Sequence, residues 1–322
     1  MSTKQSRGRL REHFLRQAGW CEGRSPLYAS LCRRLADDPR VEELAAAPRW
    51  DVPLRLLAGL HHLVLEGRAR WDAIDEALDR HASFLARFVA EHEVQTNEVQ
   101  RSWALLPAFL SLADGRPLDL LELGPSAGLN LVWDRYRYAY ASGGWGSGVL
   151  ELRGDDRVPP PGTLLSRRVA VVRRRGVDRS PIDVTRDEGA LLLQSFVWAD
   201  QAERLARLRA AIEVVRDEPP ELIRGDYVAS LPSLLAERVD GAQLVVYETA
   251  STQYLDRAAR EALHEALHHA GREEPLTFLT TRSSPDRDFY TLEAVAWPSG
   301  RRCALLHLDF HGAWLEWLGD TG

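Results

Sequence analysis

Lysine is almost missing from this 322-residue chain: Lys4 is the only one, and arginine supplies the rest of the 41 basic residues. The bias reads as codon preference and not as adaptation to polyanions, because 47 acidic residues leave a net charge of −6. No general basic face for nucleic acid follows. One local run, Arg167, Arg168, Arg173, Arg174 and Arg175, reads more readily as a solvated edge than as an anion site. Cysteine is scarce too. Cys21, Cys32 and Cys303 form no C-x-x-C pair and are too few for a disulfide framework, so a reducing compartment is expected. An apolar signal region is lacking after Met1, and no run approaches the roughly 18 apolar residues of a membrane span. These absences, with 45% hydrophobic and 27% charged residues, predict a globular cytoplasmic protein with no membrane partner.

Strand patterns are also lacking in the first third. From Ser6 to Gly115 every periodic segment reads as helix, with no internal repeat: Leu10, Phe14 and Leu15 share a face, Ser25-Pro26 caps Leu27 to Leu35, and Pro53 opens Leu54 to Leu65. Trp71 to Val89 and Val99 to Leu112 follow as further helices. The expected division is a helical domain over 1–115 and an α/β domain over 116–322. Within the helical part, Gln95 to Arg101 is unusually polar for a segment leading into an apolar helix. It reads either as a capped helix start or as part of a site, in which case Asn97, Glu98 and Arg101 should lie near Asn130 and Glu248.

The chain is organised around Leu118 to Asn130. An apolar run of β-strand length ends there in a glycine-punctuated turn, and Leu129 to Tyr140 reads as a helix. A helix N-terminus at that turn would offer free N–H groups and a positive dipole to an anionic or polar ligand. Val149 to Pro161 suggests a small hairpin. Further strands are expected at Val169 to Asp178, Glu221 to Asp226, Leu244 to Glu248 and Leu276 to Thr280, with helices between them. Tyr290 to Trp297 and Cys303 to Leu308 then close the chain as an antiparallel hairpin. The alternation predicts a Rossmann-like, doubly wound, mostly parallel seven-stranded α/β sheet following an all-helical N-terminal domain.

Three chemistries compete for the motifs. Gly124-Pro-Ser126-Ala-Gly128 spells the G-x-S-x-G elbow of serine hydrolases, and Glu248 or Asp226 with His307 or His311 would complete a triad in the right chain order. Against it, nothing before Leu118 supplies the strands and oxyanion loop that precede such an elbow. His264-Glu265-x-x-His268 spells a zinc-protease motif, but the same helix face carries Arg257, Arg260 and Glu261, so no metal is expected. His307, Asp309 and His311 alternate as if on one strand face, more readily a packed strand end than a metal site. Third, Glu122-x-Gly124-x-Ser126-x-Gly128-x-Asn130 resembles the first motif of Rossmann-like S-adenosylmethionine methyltransferases. Asp178 in Gly176-Val-Asp178-Arg-Ser-Pro181 resembles the acidic residue that grips the ribose diol there, and Asp226 in Arg224-Gly-Asp226 resembles the one that takes the adenine amino group.

Taken together, Gln95-Thr96-Asn97-Glu98 with Arg101, the Glu122 to Leu131 loop, Trp133-Asp134-Arg135-Tyr136, Asp178, Asp226 and His311-Gly312 resemble the bacterial family known as domain of unknown function 2332. The resemblance implies a methyltransferase-like fold without a settled reaction. On the resemblance of the separate motifs to S-adenosylmethionine methyltransferases rest the expected cofactor, S-adenosylmethionine, and its contacts Glu122, Gly124, Ser126, Gly128, Asn130, Asp178 and Asp226, with an acceptor side expected at Glu248, Arg101, Asn97 and His311. The acceptor is expected to be a small molecule. A noncatalytic cofactor-binding protein of the same fold is the alternative. One departure is the roughly 50 residues between Gly128 and Asp178, about twice the spacing usual between the glycine loop and that acid.

Overall fold

The computed structural model describes residues 3–45, 47–284 and 286–319. Seven helices come first: α1 (Thr3–Cys21), α2 (Pro26–Leu35), α3 (Arg40–Leu44), α4 (Val52–Leu65), α5 (Ile74–Arg80), α6 (Ala82–Glu91) and α7 (Arg101–Leu112). Strand β1 (Leu118–Leu123) is followed by β2 (Arg137–Tyr140), β3 (Gly143–Trp145), β4 (Glu151–Arg153), β5 (Asp155–Val158), helix α8 (Gly162–Leu165) and β6 (Val171–Asp178). Next come α9 (Asp187–Ser195), α10 (Ala202–Asp217), β7 (Glu221–Arg224), α11 (Tyr227–Ala236), β8 (Gln243–Tyr247) and α12 (Arg257–Glu273). The chain ends in β9 (Leu276–Ser283), β10 (Tyr290–Trp297), β11 (Arg301–Leu308) and β12 (Trp314–Trp317).

Two compact units emerge, and their division is not the expected one at 115. The first comprises Met1–Thr96 with Asp183–Arg209, the second Asn97–Ile182 with Ala210–Gly322. Helix α7 therefore belongs with the strands, and α9 belongs with the helices.

The first unit is helical because its apolar positions recur at helical spacing, and the start of α2 is capped. Ser25 Oγ accepts from Tyr28 N at 3.2 Å with Pro26 in the first turn, and it donates to Asp200 Oδ1 at 2.7 Å. Helix α4 is buried on nearly every face, including a charged pair in which Arg55 donates to Asp51 Oδ2 at 2.5 Å and to the Val89 carbonyl at 3.0 Å. Its His61 Nδ1 lies 3.3 Å from the Ser195 carbonyl oxygen, and His62 Nδ1 lies 3.1 Å from Ser195 Oγ. The single helix expected over Trp71 to Val89 is instead a short 3-10 turn at Trp71–Ala73 followed by α5 and α6.

The second unit is a nine-stranded mixed sheet in the order β5-β12-β11-β10-β9-β8-β1-β6-β7, with a three-stranded sheet β3-β2-β4. Seven strands were expected. The additional two are β12, antiparallel to β11, and β5, parallel to β12. The five strands β7-β6-β1-β8-β9 are mutually parallel. Beyond them β10 and β11 continue antiparallel as the expected closing hairpin. Connections out of β1 run first to one side, to β6 and β7, and then to the other, to β8 and β9. The order therefore reverses at β1 and β8, and open parallel sheets bind ligands outside the strand carboxyl ends at such a reversal.

Several local expectations fail for identifiable reasons. The helix expected from Leu129 to Tyr140 is absent: the chain makes turns, a 3-10 turn at Trp133–Arg135, and then β2. Its aromatic residues pack as a sheet instead, with Tyr136, Tyr138 and Tyr140 hydroxyls donating to the carbonyls of Leu129, Trp133 and Trp103, each at 2.6 Å. The expected hairpin at Val149 to Pro161 splits, β4 joining β2 and β5 joining β12. Gly271 is a further case of packing over local propensity. It lies inside the helix, where a Cβ would sit 2.3 Å from Trp297 Cβ, so glycine there permits close packing on β10.

The histidines of the first unit give a pH-dependent stability. Burial is the chief cause that holds His61, His62 and His92 below the ordinary imidazole value of 6.5. Unfolded imidazoles bind protons before the folded ones do, so stability is complete above that value and is lost as pH falls through it. The thermal midpoint should drop between about pH 7.5 and about pH 5.5, and His61→Gln should flatten the dependence in a scanning-calorimetry series.

Candidate functional site

The carboxyl ends of β1 and β8 collect most of the residues singled out in the sequence. Strand β1 is buried along its whole length, and its alternation puts Leu121 and Leu123 into the apolar cluster with Val177, Leu231 and Val246. Glu122 therefore faces the opposite side. It is 1% exposed there, opposite Tyr247 in the β8 register and Gly176 in the β6 register. Burial, the largest cause, lifts its carboxyl to about 8, with Asp178 and Glu248 nearby adding to the rise and Tyr247 and Arg101 opposing it.

The loop after β1 places left-handed residues at three alternate positions, Gly124 at φ 75°, Ser126 at φ 54° and Gly128 at φ 74°. Two are glycines, as that region prefers; Ser126 is held there by its neighbours. Its N–H donates to Asp178 Oδ2 at 2.9 Å and its carbonyl accepts from Ile182 N at 3.2 Å. Close approach accounts for the glycines: a Cβ on Gly124 would meet Ser251 Cβ at 2.7 Å, and one on Gly128 would meet Pro220 Cγ at 2.7 Å. The loop N–H groups are largely engaged, Gly124 by the Val177 carbonyl, Gly128 by the Pro125 carbonyl and Leu129 by Asn97 Oδ1 at 3.1 Å. With no helix following, the anion-attracting N-terminus expected at this turn does not exist.

Glu248 and the segment before α7 fix the rest. Glu248 is fully buried, and its carboxylate accepts from Ala250 N at 2.8 Å, Thr252 N at 3.2 Å, Thr280 Oγ1 at 2.6 Å, Thr281 N at 2.8 Å and Thr281 Oγ1 at 3.3 Å. It bends the chain after β8 so tightly that Ala250 adopts φ 95°. Arg101, 9% exposed, donates through Nη1 to the Thr249 carbonyl at 2.7 Å and through Nε to the Phe310 carbonyl at 2.9 Å. Glu98 is buried and its Oε1 accepts from Gln100 N. The polar segment before α7 thus lies against the loop and the chain leaving β8.

The structure assigns different work to several candidates. Glu248, Arg101 and Asn97, expected on the acceptor side, hold the chain in place: a carboxylate with three backbone N–H and two hydroxyl donors, a guanidinium on two carbonyls and an amide oxygen on one N–H are positioning groups. Asp226 caps α11 through Val228 N and Ala229 N and pairs with Arg179 at 2.6 Å. His311 lies in the turn between β11 and β12, its N–H donating to Asp309 Oδ1, so His307, Asp309 and His311 do not share a strand. Gly312 in that turn comes so close to Gln100 that a Cβ would stand 2.6 Å from its carbonyl oxygen. Ser126 Oγ is buried without a hydrogen-bond partner, and among the described residues no histidine bonds to it. Also among them, no group of three His, Cys, Asp or Glu is placed to hold a metal ion.

The sequence reading missed Tyr247. Its hydroxyl lies 3.1 Å from Glu122 Oε2 and 3.2 Å from the Asn130 carbonyl oxygen, while Asn130 Oδ1 accepts from Ser102 Oγ at 2.7 Å. A signal existed: Tyr247 is the one hydroxyl in the run Leu244-Val-Val-Tyr247, and alternation places it opposite Glu248.

Two substitutions separate the acids. Glu248→Ala strands buried donors and should cost about 3 kcal/mol or more in a denaturant titration, as removing a buried charged partner does. Glu122→Gln should do the reverse. The Glu122 carboxyl ionises near 4.5 when exposed and near about 8 when folded, so the stability it gives is full below 4.5 and is lost as pH rises toward 8. At neutral pH the glutamine variant should melt higher than the parent, and its advantage should vanish at about pH 4.

No curated protein and no solved structure matches the chain. The sequence model of one family does, over residues 11–317, and its description is "Uncharacterized protein conserved in bacteria (DUF2332)". With nearly the whole length matched, the chain belongs to that bacterial family.

Proposed function

We propose that this protein binds S-adenosylmethionine at the carboxyl ends of β1, β6 and β8 and passes its methyl group to a small molecule. The observation that carries the reading is the placement of the glycine loop and Asp178 at the reversal of the parallel strand order, where open α/β sheets take their ligands. The Rossmann-like, methyltransferase-type description of the sheet belongs to this proposal, since the observed sheet is larger and mixed.

The residues present fit such a cofactor in their acidic members. Asp178 is half-buried at the end of β6, its two oxygens accepting one N–H each from Ser126 and Ser180, which leaves lone pairs for a diol. Ser126 Oγ is a buried polar atom awaiting a partner. The Asp178 carboxylate gives the site a negative character that suits a sulfonium. The cofactor, when bound, supplies the activated methyl group. The chain's own work is to orient it, with Asp178 on the ribose and the loop from Gly124 to Asn130 beside it, and to align an acceptor. Asp226, committed to α11 and Arg179, is left out of the cofactor contacts.

One observation favours a second reading, a noncatalytic binding protein of the same fold. Glu248, Arg101 and Asn97 are all committed to hydrogen bonds within the protein, so none of these three is offered as an acid or base on the acceptor side. Methyl transfer to a good nucleophile needs positioning more than a base, so the commitment does not count against turnover as such.

S-adenosylhomocysteine should raise the thermal midpoint, since a ligand bound only by the native state stabilises by about 2.7 kcal/mol at a hundredfold excess over Kd. Asp178→Ala should abolish the shift. Gly128→Val is unsuitable as a control, because its Cβ would strike Pro220 and Leu222. Absence of any shift with millimolar ligand rejects the cofactor; a shift without turnover of any acceptor favours the binding protein.

A further inference from the structure

The Tyr247 hydroxyl is shared between two oxygens, Glu122 Oε2 at 3.1 Å and the Asn130 carbonyl at 3.2 Å. A phenol has one proton to give, and a carbonyl oxygen can only accept. If Tyr247 donates to Asn130, the contact with Glu122 is a hydrogen bond only when Glu122 carries a proton and donates it. If Glu122 is ionised, the phenol proton turns to the carboxylate and the buried Asn130 carbonyl loses its donor. Protonation of Glu122 thus decides whether a chain of bonds runs from β1 through β8 into the glycine loop.

The surroundings of Glu122 favour the protonated state. From β6 comes Asp178 and from the end of β8 comes Glu248, both like-charged; Tyr247 on β8 and Tyr136 before β2 are neutral hydroxyls. Helix α7 contributes a cation, Arg101, whose Nε and Nη1 are bound to the Phe310 and Thr249 carbonyls. Of the three acids, Glu122 and Glu248 are buried, whereas Asp178 is partly exposed and so is the point of approach. A positive charge arriving beside Asp178 reverses the balance for Glu122, because a charge a few ångströms away in a poorly solvated site acts far more strongly than in water.

We propose that Glu122 is the residue by which this site reads ligand charge: it is a neutral acid in the free protein and releases its proton to solvent when a cationic ligand reaches the carboxyl ends of β1 and β8. The inference rests on the proposed cofactor site and adds a selection rule to it. A sulfonium ligand is bound with loss of one proton, and its neutral thioether counterpart is bound without that loss. Ionised Glu122 draws the Tyr247 proton away from Asn130, so charge recognition is transmitted to the loop. The role is one of specificity, and the reaction takes no proton from Glu122.

Two measurements test this. First, infrared difference spectra of ligand-free protein should show the carbonyl band of a protonated carboxylic acid at neutral pH, fading as pH rises through about 8, missing in Glu122→Gln and shifted in Tyr247→Phe. Absence of that band from the parent overturns the proposal without any ligand. Second, calorimetric titrations with S-adenosylmethionine and S-adenosylhomocysteine in buffers of different ionisation heat should show one additional proton released for the sulfonium. Its affinity, relative to the thioether, should rise about tenfold per pH unit below the Glu122 midpoint and then level off; the amino-acid tail, common to both ligands, cancels. Glu122→Gln should remove that slope while still binding the thioether. Equal profiles for both ligands overturn the charge-reading role and leave the cofactor site standing. Binding of neither ligand, with the carboxylic band present, overturns the cofactor site and this ligand assignment together.

Discussion

Burial of a carboxylate at the end of β8 is the constraint on which the site depends. Glu248 has no water to satisfy it, so the protein must bring five donors from two segments, and doing so ties β9 to the chain leaving β8. The tight path that follows puts Ser251 over Gly124, where its Oγ donates to the Leu123 carbonyl at 2.7 Å, and presents the Thr249 carbonyl to Arg101. Arg101 in turn reaches Phe310, and so the turn after β11 is drawn to the same place. A chain of polar obligations thus assembles four separate parts of the second unit around the β1 loop.

Much of this was legible in the sequence because it followed from periodicity and burial. The apolar runs beginning at Leu118 and at Leu244 read as strands, and β1 and β8 lie there; within the polar segment Gln95 to Arg101, Asn97 and Arg101 bond to the β1 loop and to the chain leaving β8. What failed was local propensity overruled by packing. Leu129 to Tyr140 reads as a helix, yet Phe109 stacks on Trp133 at 4.7 Å and Trp103 on Tyr140 at 5.2 Å, and these contacts are made by turns and strands lying on α7. The edge strands β5 and β12 are short, partly polar and far apart in sequence, and nothing in either run announces the other. Nor can a string of residue types say that Glu248 is spent on backbone while Glu122 is not, since both are acids beside apolar strands.

The acids at the site therefore differ in kind. Glu248 is charged to the benefit of the fold, and Glu122 is kept where charge is costly. Proteins retain such groups at functional positions because the cost can be recovered when a partner arrives. In the proposed function, the reversal of strand order would supply a place, the glycine loop close approach, and Glu122 discrimination.

The first unit is discontinuous, and that has a bearing on biogenesis. His61 and His62 on α4 rest on Ser195, and Tyr28 stacks on Trp198 at 5.9 Å, so its core is completed by residues that follow β6. On the ribosome the opening helices must wait, incomplete, until Asp183–Arg209 has been made, and by then β1 and β6 have already emerged. An amino-terminal fragment ending at residue 115 would carry the exposed seat of α9 with nothing to fill it, so nascent chains of that length are the stage at which holding chaperones would find apolar surface to bind.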